Sequence, residues 1–383
     1  RGDIDVLLVS PERLGNERFL RDFLPSIEGS LGLFVVDEAH CISDWGHDFR
    51  PDYRRIADVL AGLAPDVPVL AATATANGRV EADVASQIGA DTRTFRGSLD
   101  RPSLHLSVVS LPTSAEQLAW VGAWAAARSG PGLVYCLTVS EAERVAAYLA
   151  DRGVQVAAYT GSTPAPERER IEASLDDGSL ACVVATSALG MGYDNPDLAY
   201  VVHLGAPPSP IAYYQQVGRA GRGSSAAEVV LVPTRTQADI WAWMASTAMP
   251  ARAVVEEVLA ALAAHGPCSL PELEASVNVR RGRLEALLKV LDVEGAVDRE
   301  GSSWFATGSG WTYDDERYAA LAAARAAEQE AMVAYERTDG CRLRFLREQL
   351  DDPGAEDCGR CDRCTGSTVD GTADPEAVAR ARR

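Results

Sequence analysis

Residues 33–51, LFVVDEAHCISDWGHDFRP, begin as a short run of apolar and β-branched side chains, Leu33 to Val36, with no polar alternation. A central parallel strand reads this way when helices cover both of its faces. The run ends at two adjacent carboxylates, Asp37 and Glu38, which places them at the carboxyl edge of a parallel sheet. In open α/β folds that edge is where ligands settle. One carboxylate can hold Mg2+ while its neighbour orients or deprotonates a water, the pairing that metal-assisted phosphoryl transfer requires.

Upstream of this stretch, Val6 to Val9 reads as an apolar strand leading into Ser10-Pro11-Glu12-Arg13-Leu14. Downstream, Tyr53 to Leu63 has helical spacing, and Val69 to Ala72 is a further buried strand ending in Thr73-Ala74-Thr75. Beyond residue 105, apolar runs alternate with helical patterns: Leu133 to Cys136, Val156 to Tyr159, Cys182 to Ala185, Tyr200 to Leu204 and Val229 to Val232. Such alternation means βαβ units and a parallel sheet.

The chain has 383 residues, room for several domains, and a net charge of −19, which argues against a uniformly basic nucleic-acid binder. Contact with a polyanion must come from local arginine clusters and stacking aromatics; among the 36 basic residues, Lys289 is the one lysine. No apolar run is long and uncharged enough to span a bilayer. The first residues carry no export signal, so the chain is expected in the cytoplasm, at the nucleoid.

Four further observations single out a family. Asp37-Glu38-Ala39-His40 is followed by the aromatic-rich Cys41-Ile42-Ser43-Asp44-Trp45-Gly46-His47-Asp48-Phe49-Arg50-Pro51. Thr73-Ala74-Thr75 closes the next strand. Ala185 to Asp194, ATSALGMGYD, places small residues where a backbone must approach a phosphate. Tyr213 to Arg222, YYQQVGRAGR, sets two arginines among glycines. In this order the stretches resemble motifs II, III, V and VI of the RecQ-type DNA helicases, with Gly132 to Cys136 as motif IV.

The resemblance implies two RecA-like lobes that bind ATP with Mg2+ and step single-stranded DNA, at a duplex junction, with 3′-to-5′ polarity in recombination or repair. It gives Asp37, Glu38 and His40 to the nucleotide site, with Arg222 as arginine finger and Arg219 as its companion, both facing a cleft. Thr73, Thr75, Gly192, Asp194 and Gln215 would couple nucleotide to DNA. Trp45, His47, Phe49 and Arg50 would touch DNA by stacking and phosphate pairing. The sequence departs from the usual pattern at Gln216, where Glu is common, and at Gly223, where Asp is common. It also contains no G-x-x-x-x-G-K phosphate loop, which the family places ahead of motif II. The chain is therefore expected to be a piece of a longer motor, inactive alone, or else a non-catalytic DNA-binding remnant. An RNA helicase of the Asp-Glu-Ala-His class is a third reading, which the aromatic loop and the cysteines below disfavour.

Residues 248–310 resemble a winged helix. An apolar stripe at Val254, Val255, Val258, Leu259 and Leu262 stops at Gly266; Ser269 with Glu272 forms a capping box. Arg280, Arg281 and Arg283 open a third helix and suit contact with a DNA backbone, although the module could equally serve packing. Residues 311–365 then hold a long Ala-rich helix and Cys341-x16-Cys358-x2-Cys361-x2-Cys364. Four thiolates so spaced fit structural Zn2+, with an iron–sulfur cluster as the competing ligand set, and match the family's zinc subdomain. In the family's usual layout the winged helix follows the zinc module; here it precedes it.

The expected organisation is α/β. A partial first RecA-like lobe occupies 1–104 and a second lobe 105–247, followed by the winged helix, the zinc-binding subdomain and a disordered linker over 366–383. Membranes are no partner; protein partners are left open.

Overall fold

The computed structural model describes residues 5–16, 18–43, 50–64, 66–89, 91–189, 193–223, 226–248 and 251–382. In chain order the helices and strands are α1 (Leu24–Glu28), β1 (Phe34–Val36), α2 (Pro51–Gly62), β2 (Val69–Ala71), α3 (Gly78–Ile88), β3 (Leu104–Val108), α4 (Ser114–Ala126), β4 (Gly132–Cys136), α5 (Val139–Ala150) and β5 (Val156–Tyr159). There follow α6 (Ala165–Asp176), β6 (Cys182–Ala185), β7 (Tyr200–Leu204), α7 (Pro210–Val217), β8 (Ala227–Val232), α8 (Gln237–Ala248), α9 (Arg252–His265), β9 (Cys268–Ser269), α10 (Leu270–Ser276) and α11 (Arg281–Val293). The last are β10 (Val297–Glu300), β11 (Ser303–Ala306), α12 (Asp315–Arg337), α13 (Arg342–Glu348), α14 (Asp362–Thr365) and α15 (Pro375–Ala381). Two compact units divide them: residues 1–95 with 244–324, and residues 96–243 with 325–383.

The second unit is built on a parallel sheet of six strands in the order β3-β8-β7-β4-β6-β5. Side chains alternate faces along a strand, and here both faces are covered. Leu133, Tyr135, Val183, Val201 and Val229 enter one core; Val134, Cys136, Val184, Val202 and Val230 enter the other. Double burial is why β4 and β6 are apolar at every position. Gly132 has a specific reason to lack a side chain, because a Cβ there would lie 2.1 Å from the Tyr200 ring on the paired strand. Threonine side chains start the flanking helices, Thr113 for α4 and Thr138 for α5, each accepting from the N–H three residues on.

In the first unit β1 and β2 pair in parallel, Val36 opposite Ala71. α9, α10 and α11 pack with a three-stranded sheet, β10-β11-β9, around Val255, Leu262, Leu273, Leu284 and Leu288. The capping box at Ser269 and Glu272 is present, and the Glu300-Gly301-Ser302 turn closes an antiparallel β10–β11 hairpin.

Three expectations need correction. Val6 to Val9 forms no strand: its side chains are exposed, and no described strand offers them a ladder. β1 is buried on one face only, with Val36 inside while Val35 and Leu70 are 53% and 52% exposed. Residues 366–382 are not a disordered linker. Trp120 Nε1 donates to the Asp370 carbonyl at 2.7 Å and Tyr148 Oη to that of Ala377 at 3.3 Å, while α15 packs against α4. Its polar composition hid this anchoring, because the acceptors are backbone carbonyls.

Candidate functional site

The first group of site residues arises where β1 and β2 end side by side. Val36 is the last residue of β1; its carbonyl accepts from Ala72 N, and the Ala72 carbonyl accepts from Ala39 N, both at 2.9 Å. The chain turns here with Glu38 at φ 48° and ψ 44°, the left-handed region that a residue with a Cβ enters at a cost of about 1–2 kcal/mol. Several bonds hold it there: Glu38 N donates to Asp37 Oδ1 at 2.9 Å, and Cys41 N to the Glu38 carbonyl at 2.9 Å. Asp37 remains exposed and Glu38 half-buried.

His40 is fully buried and ties the two strand ends together. Its Nδ1 lies 3.0 Å from Thr73 Oγ1 and 3.3 Å from Glu38 Oε2, and its Nε2 lies 3.6 Å from Cys41 Sγ. Thr73 Oγ1 also accepts from Thr75 N at 3.3 Å, and Thr75 is buried. The structure thus gathers Asp37, Glu38, His40, Thr73 and Thr75 at one sheet edge, with His40 and the threonines as supports. Arg50 is half-buried, its N–H on the Cys41 carbonyl at 3.2 Å. Trp45, His47, Phe49 and Gly192 lie outside the described residues.

The second group surrounds the turn after α7. Arg222 is partly exposed; its Nη1 donates to Asp194 Oδ1 at 2.9 Å and its Nε to the Gly218 carbonyl at 3.2 Å. It lines an open groove of about 650 Å³ with Asp100 to Ser103 and Gly221 to Gly223. Gln215 is half-buried on α7. Arg219 departs from the expectation that both arginines face a cleft. It is 4% exposed, and its Nη1 donates to the Tyr193 carbonyl at 2.6 Å. It joins the segment before β7 to the turn after α7, the work of a positioning group.

The two departures from the family pattern have local explanations. Gly223 N donates to the Pro196 carbonyl at 3.1 Å, and a Cβ on Gly223 would lie 2.9 Å from that oxygen. Gln216 Oε1 meets His203 Nε2 at 2.8 Å in the core, where His203 is stacked against Tyr135. Burial pushes the imidazole down to about 4, against the hydrogen bond its Nε2 donates to Gln216, which raises it, so a neutral amide suits a neutral ring. Sequence reading missed His203, whose only signal is a lone polar residue inside the apolar run of β7.

The four cysteines converge. Their sulfurs all lie within 4.8 Å of one another, with Cys341 and Cys361 3.9 Å apart. That is too far for a disulfide, near 2.05 Å, and fits thiolates about 2.3 Å from one shared tetrahedral ion, which stand about 3.8 Å apart. Backbone N–H groups point at the sulfurs, from Arg344 and Cys358 to Cys341 and from Arg342 to Cys361. Burial pushes the Cys361 thiol up, but the N–H groups of Arg342 and Cys364 outweigh it and leave the thiol below its ordinary value. The donor set therefore fits a bound metal cation.

The three arginines at the start of α11 are exposed. Arg281 pairs with Glu285 at 3.2 Å and Arg283 donates to the Ser246 carbonyl at 3.1 Å. Among the described residues no helix is long and apolar enough to cross a membrane.

Comparison with known proteins agrees with this layout. The DEAD/DEAH box helicase model matches residues 1–84 and the helicase conserved C-terminal domain model residues 116–224. The ATP-dependent DNA helicase RecQ of Haemophilus influenzae is 36% identical over 233 residues, 60% of this chain and 36% of that protein. The RecQ-like DNA helicase BLM of Xenopus laevis is 36% identical over 239 residues, 60% of this chain and 17% of that one. Among solved structures, the Mycobacterium smegmatis helicase Lhr bound to ssDNA and AMP-PNP superposes with a TM-score of 0.50 at 21% identity, over 87% of this chain and 46% of that one, a likeness of fold. Fold, strand-edge motifs and matches together liken the chain to helicases of superfamily 2. Within that class the chain is similar to RecQ helicases, at 35–36% identity over 60% of its length. It spans little more than a third, 36%, of the length of the bacterial relatives it matches.

Proposed function

We propose that this chain forms part of an ATP-driven DNA-unwinding motor that translocates 3′ to 5′ and acts in recombination or repair. The observation that carries the reading is the adjacent pair of exposed Asp37 and half-buried Glu38, fixed at a strand edge by a buried histidine that also grips Thr73. Asp37 would hold the Mg2+ of the nucleotide, and Glu38 would align and deprotonate the attacking water. Arg222 would leave Asp194 to meet charge on the transferring phosphate, and Arg219 would hold the turn from which it reaches. Bound Mg2+ would neutralise the β- and γ-phosphate oxygens. Gln215, Asp194 and the 190–192 segment would link this event to DNA. Trp45, His47, Phe49 and Arg50 would stack on bases and pair phosphates, and Arg280, Arg281 and Arg283 would contact a duplex backbone. In this reading Cys341, Cys358, Cys361 and Cys364 hold Zn2+ as a structural ion.

The test supplies a phosphate-binding loop from a relative at the amino end of this chain. DNA-stimulated ATP hydrolysis is expected, falling by about 100-fold or more in Glu38→Gln and Arg222→Ala with DNA affinity retained. Full turnover in either variant refutes these two roles. DNA binding with no hydrolysis in the parent would instead favour a DNA-binding remnant.

A further inference from the structure

The helix that follows the carboxylate pair, α2, is held through its first residues. Near its start, Tyr53 is buried and its Oη donates to the Asp37 carbonyl at 3.4 Å, while Arg50 N donates to the Cys41 carbonyl at 3.2 Å. Directly after Tyr53, two arginines of α2 reach residues 237 or more positions away in sequence. Arg55 Nη2 donates to Asp292 Oδ2 at 2.5 Å, with its Nε 3.6 Å from Asp52, and the pair is largely buried. Arg54 lies 3.9 Å from Glu294, a carboxylate that also accepts from Arg317 at 2.6 Å, Trp311 Nε1 at 3.1 Å and Tyr318 Oη at 3.2 Å. Asp292 and Glu294 stand at the carboxyl end of α11, a rod of about 20 Å whose other end carries Arg280, Arg281 and Arg283.

Exposed arginine–carboxylate pairs contribute little, but this one is shielded, and Glu294 is fastened by several groups at once. The contact therefore fixes α11 to α2, and α2 fixes the backbone that carries Asp37. We propose that Arg55 and Asp292 are positioning residues for the carboxylate pair: they make the winged helix part of the rigid body that holds Asp37 and Glu38. Any load on the arginine end of α11 is then borne by the turn at Glu38. This rests on the catalytic reading of Asp37 and Glu38, but its test needs neither nucleotide nor DNA, so the two can fail separately.

The experiment is hydrogen exchange by mass spectrometry on the full chain. Arg55→Ala and Asp292→Ala are each expected to speed exchange in the 34–43 segment about tenfold while the 254–262 segment of α9 keeps its protection. The charge swap R55D with D292R should restore protection to within about threefold of the parent. Glu285→Ala, which breaks an exposed pair on the same helix, should leave 34–43 unchanged. Faster exchange confined to 284–294 would overturn the proposal, since the contact would then end at the interface. Equal acceleration of 34–43 and 254–262, or no rescue by the swap, would overturn it as well.

Discussion

Replacing Arg342 with alanine tests how the cysteine module is joined to its sheet. Arg342 is 2% exposed, and its Nε donates to Asp362 Oδ1 at 2.6 Å while Nη1 donates to the Tyr335 carbonyl at 3.0 Å. The other oxygen of Asp362 accepts from Val108 N at 3.2 Å on β3. Truncation strands a buried carboxylate, for which removal of one partner costs about 3–5 kcal/mol; the surviving Val108 bond sets the lower end, about 3 kcal/mol. In a unit of about 200 residues 1 kcal/mol moves Tm by about 2–4 °C, so Arg342→Ala should melt about 6–12 °C early. Removing both charges together, as R342M with D362L, should recover most of the loss, because no unpaired ion remains. Calorimetry on the full chain reads the transition, and hydrogen exchange of the β3 segment assigns it to this unit. A shift under about 2 °C for Arg342→Ala, or a double variant no better than the single, refutes the reasoning.

The purified protein should carry one zinc ion per chain, lost in Cys361→Ser with a lowered Tm; iron with visible absorption would overturn the zinc assignment. His40→Ala and Thr73→Val should each destabilise the first unit by about 1–2 kcal/mol in urea and should couple by about 1 kcal/mol in a double-mutant cycle; strict additivity would mean that the bond between them contributes nothing. His203 has a folded value near 4 against about 6.5 unfolded, so the unfolded chain binds the extra proton and stability is lost as pH falls through that window. The second unit should lose about 2 kcal/mol from His203 between pH 7.5 and pH 5, and His203→Gln should flatten that part of the urea-unfolding profile.

Much of the second unit was legible in sequence because its strands are buried on both faces and spell continuous apolar runs. β3 escaped for the opposite reason: it is an edge strand paired only with β8, and Leu104-His105-Leu106-Ser107-Val108 alternates. The cysteine cluster was legible because three of its ligands are neighbours in sequence. The partners of Arg222, Gln216 and Arg55 were not, since topology sets them across 28, 13 and 237 positions and no local pattern announces them. The burial of Arg219 was hidden too: glycine-flanked arginines look alike whether they reach a ligand or a carbonyl of their own unit.

Those unread partners are what give the exposed groups their chemistry. Asp37, Glu38 and Arg222 could be placed from motifs, yet an exposed carboxylate or guanidinium in water is worth little until it is held in one geometry. Here the holding is done by buried polar groups just behind them: His40 between Glu38 and Thr73, Arg219 on Tyr193, and Gln216 on His203. The first two join strand ends or turns and the third joins α7 to β7, so a shift of one element must be felt by the other. The left-handed turn at Glu38 shows the energetic side of this arrangement. Its strain of about 1–2 kcal/mol is comparable to one or two net hydrogen bonds, so the turn persists only while those inner contacts are complete. Substitutions at His40 or Thr73, which need touch no ligand, should therefore disturb the carboxylate pair more than conservative changes among the exposed residues around it.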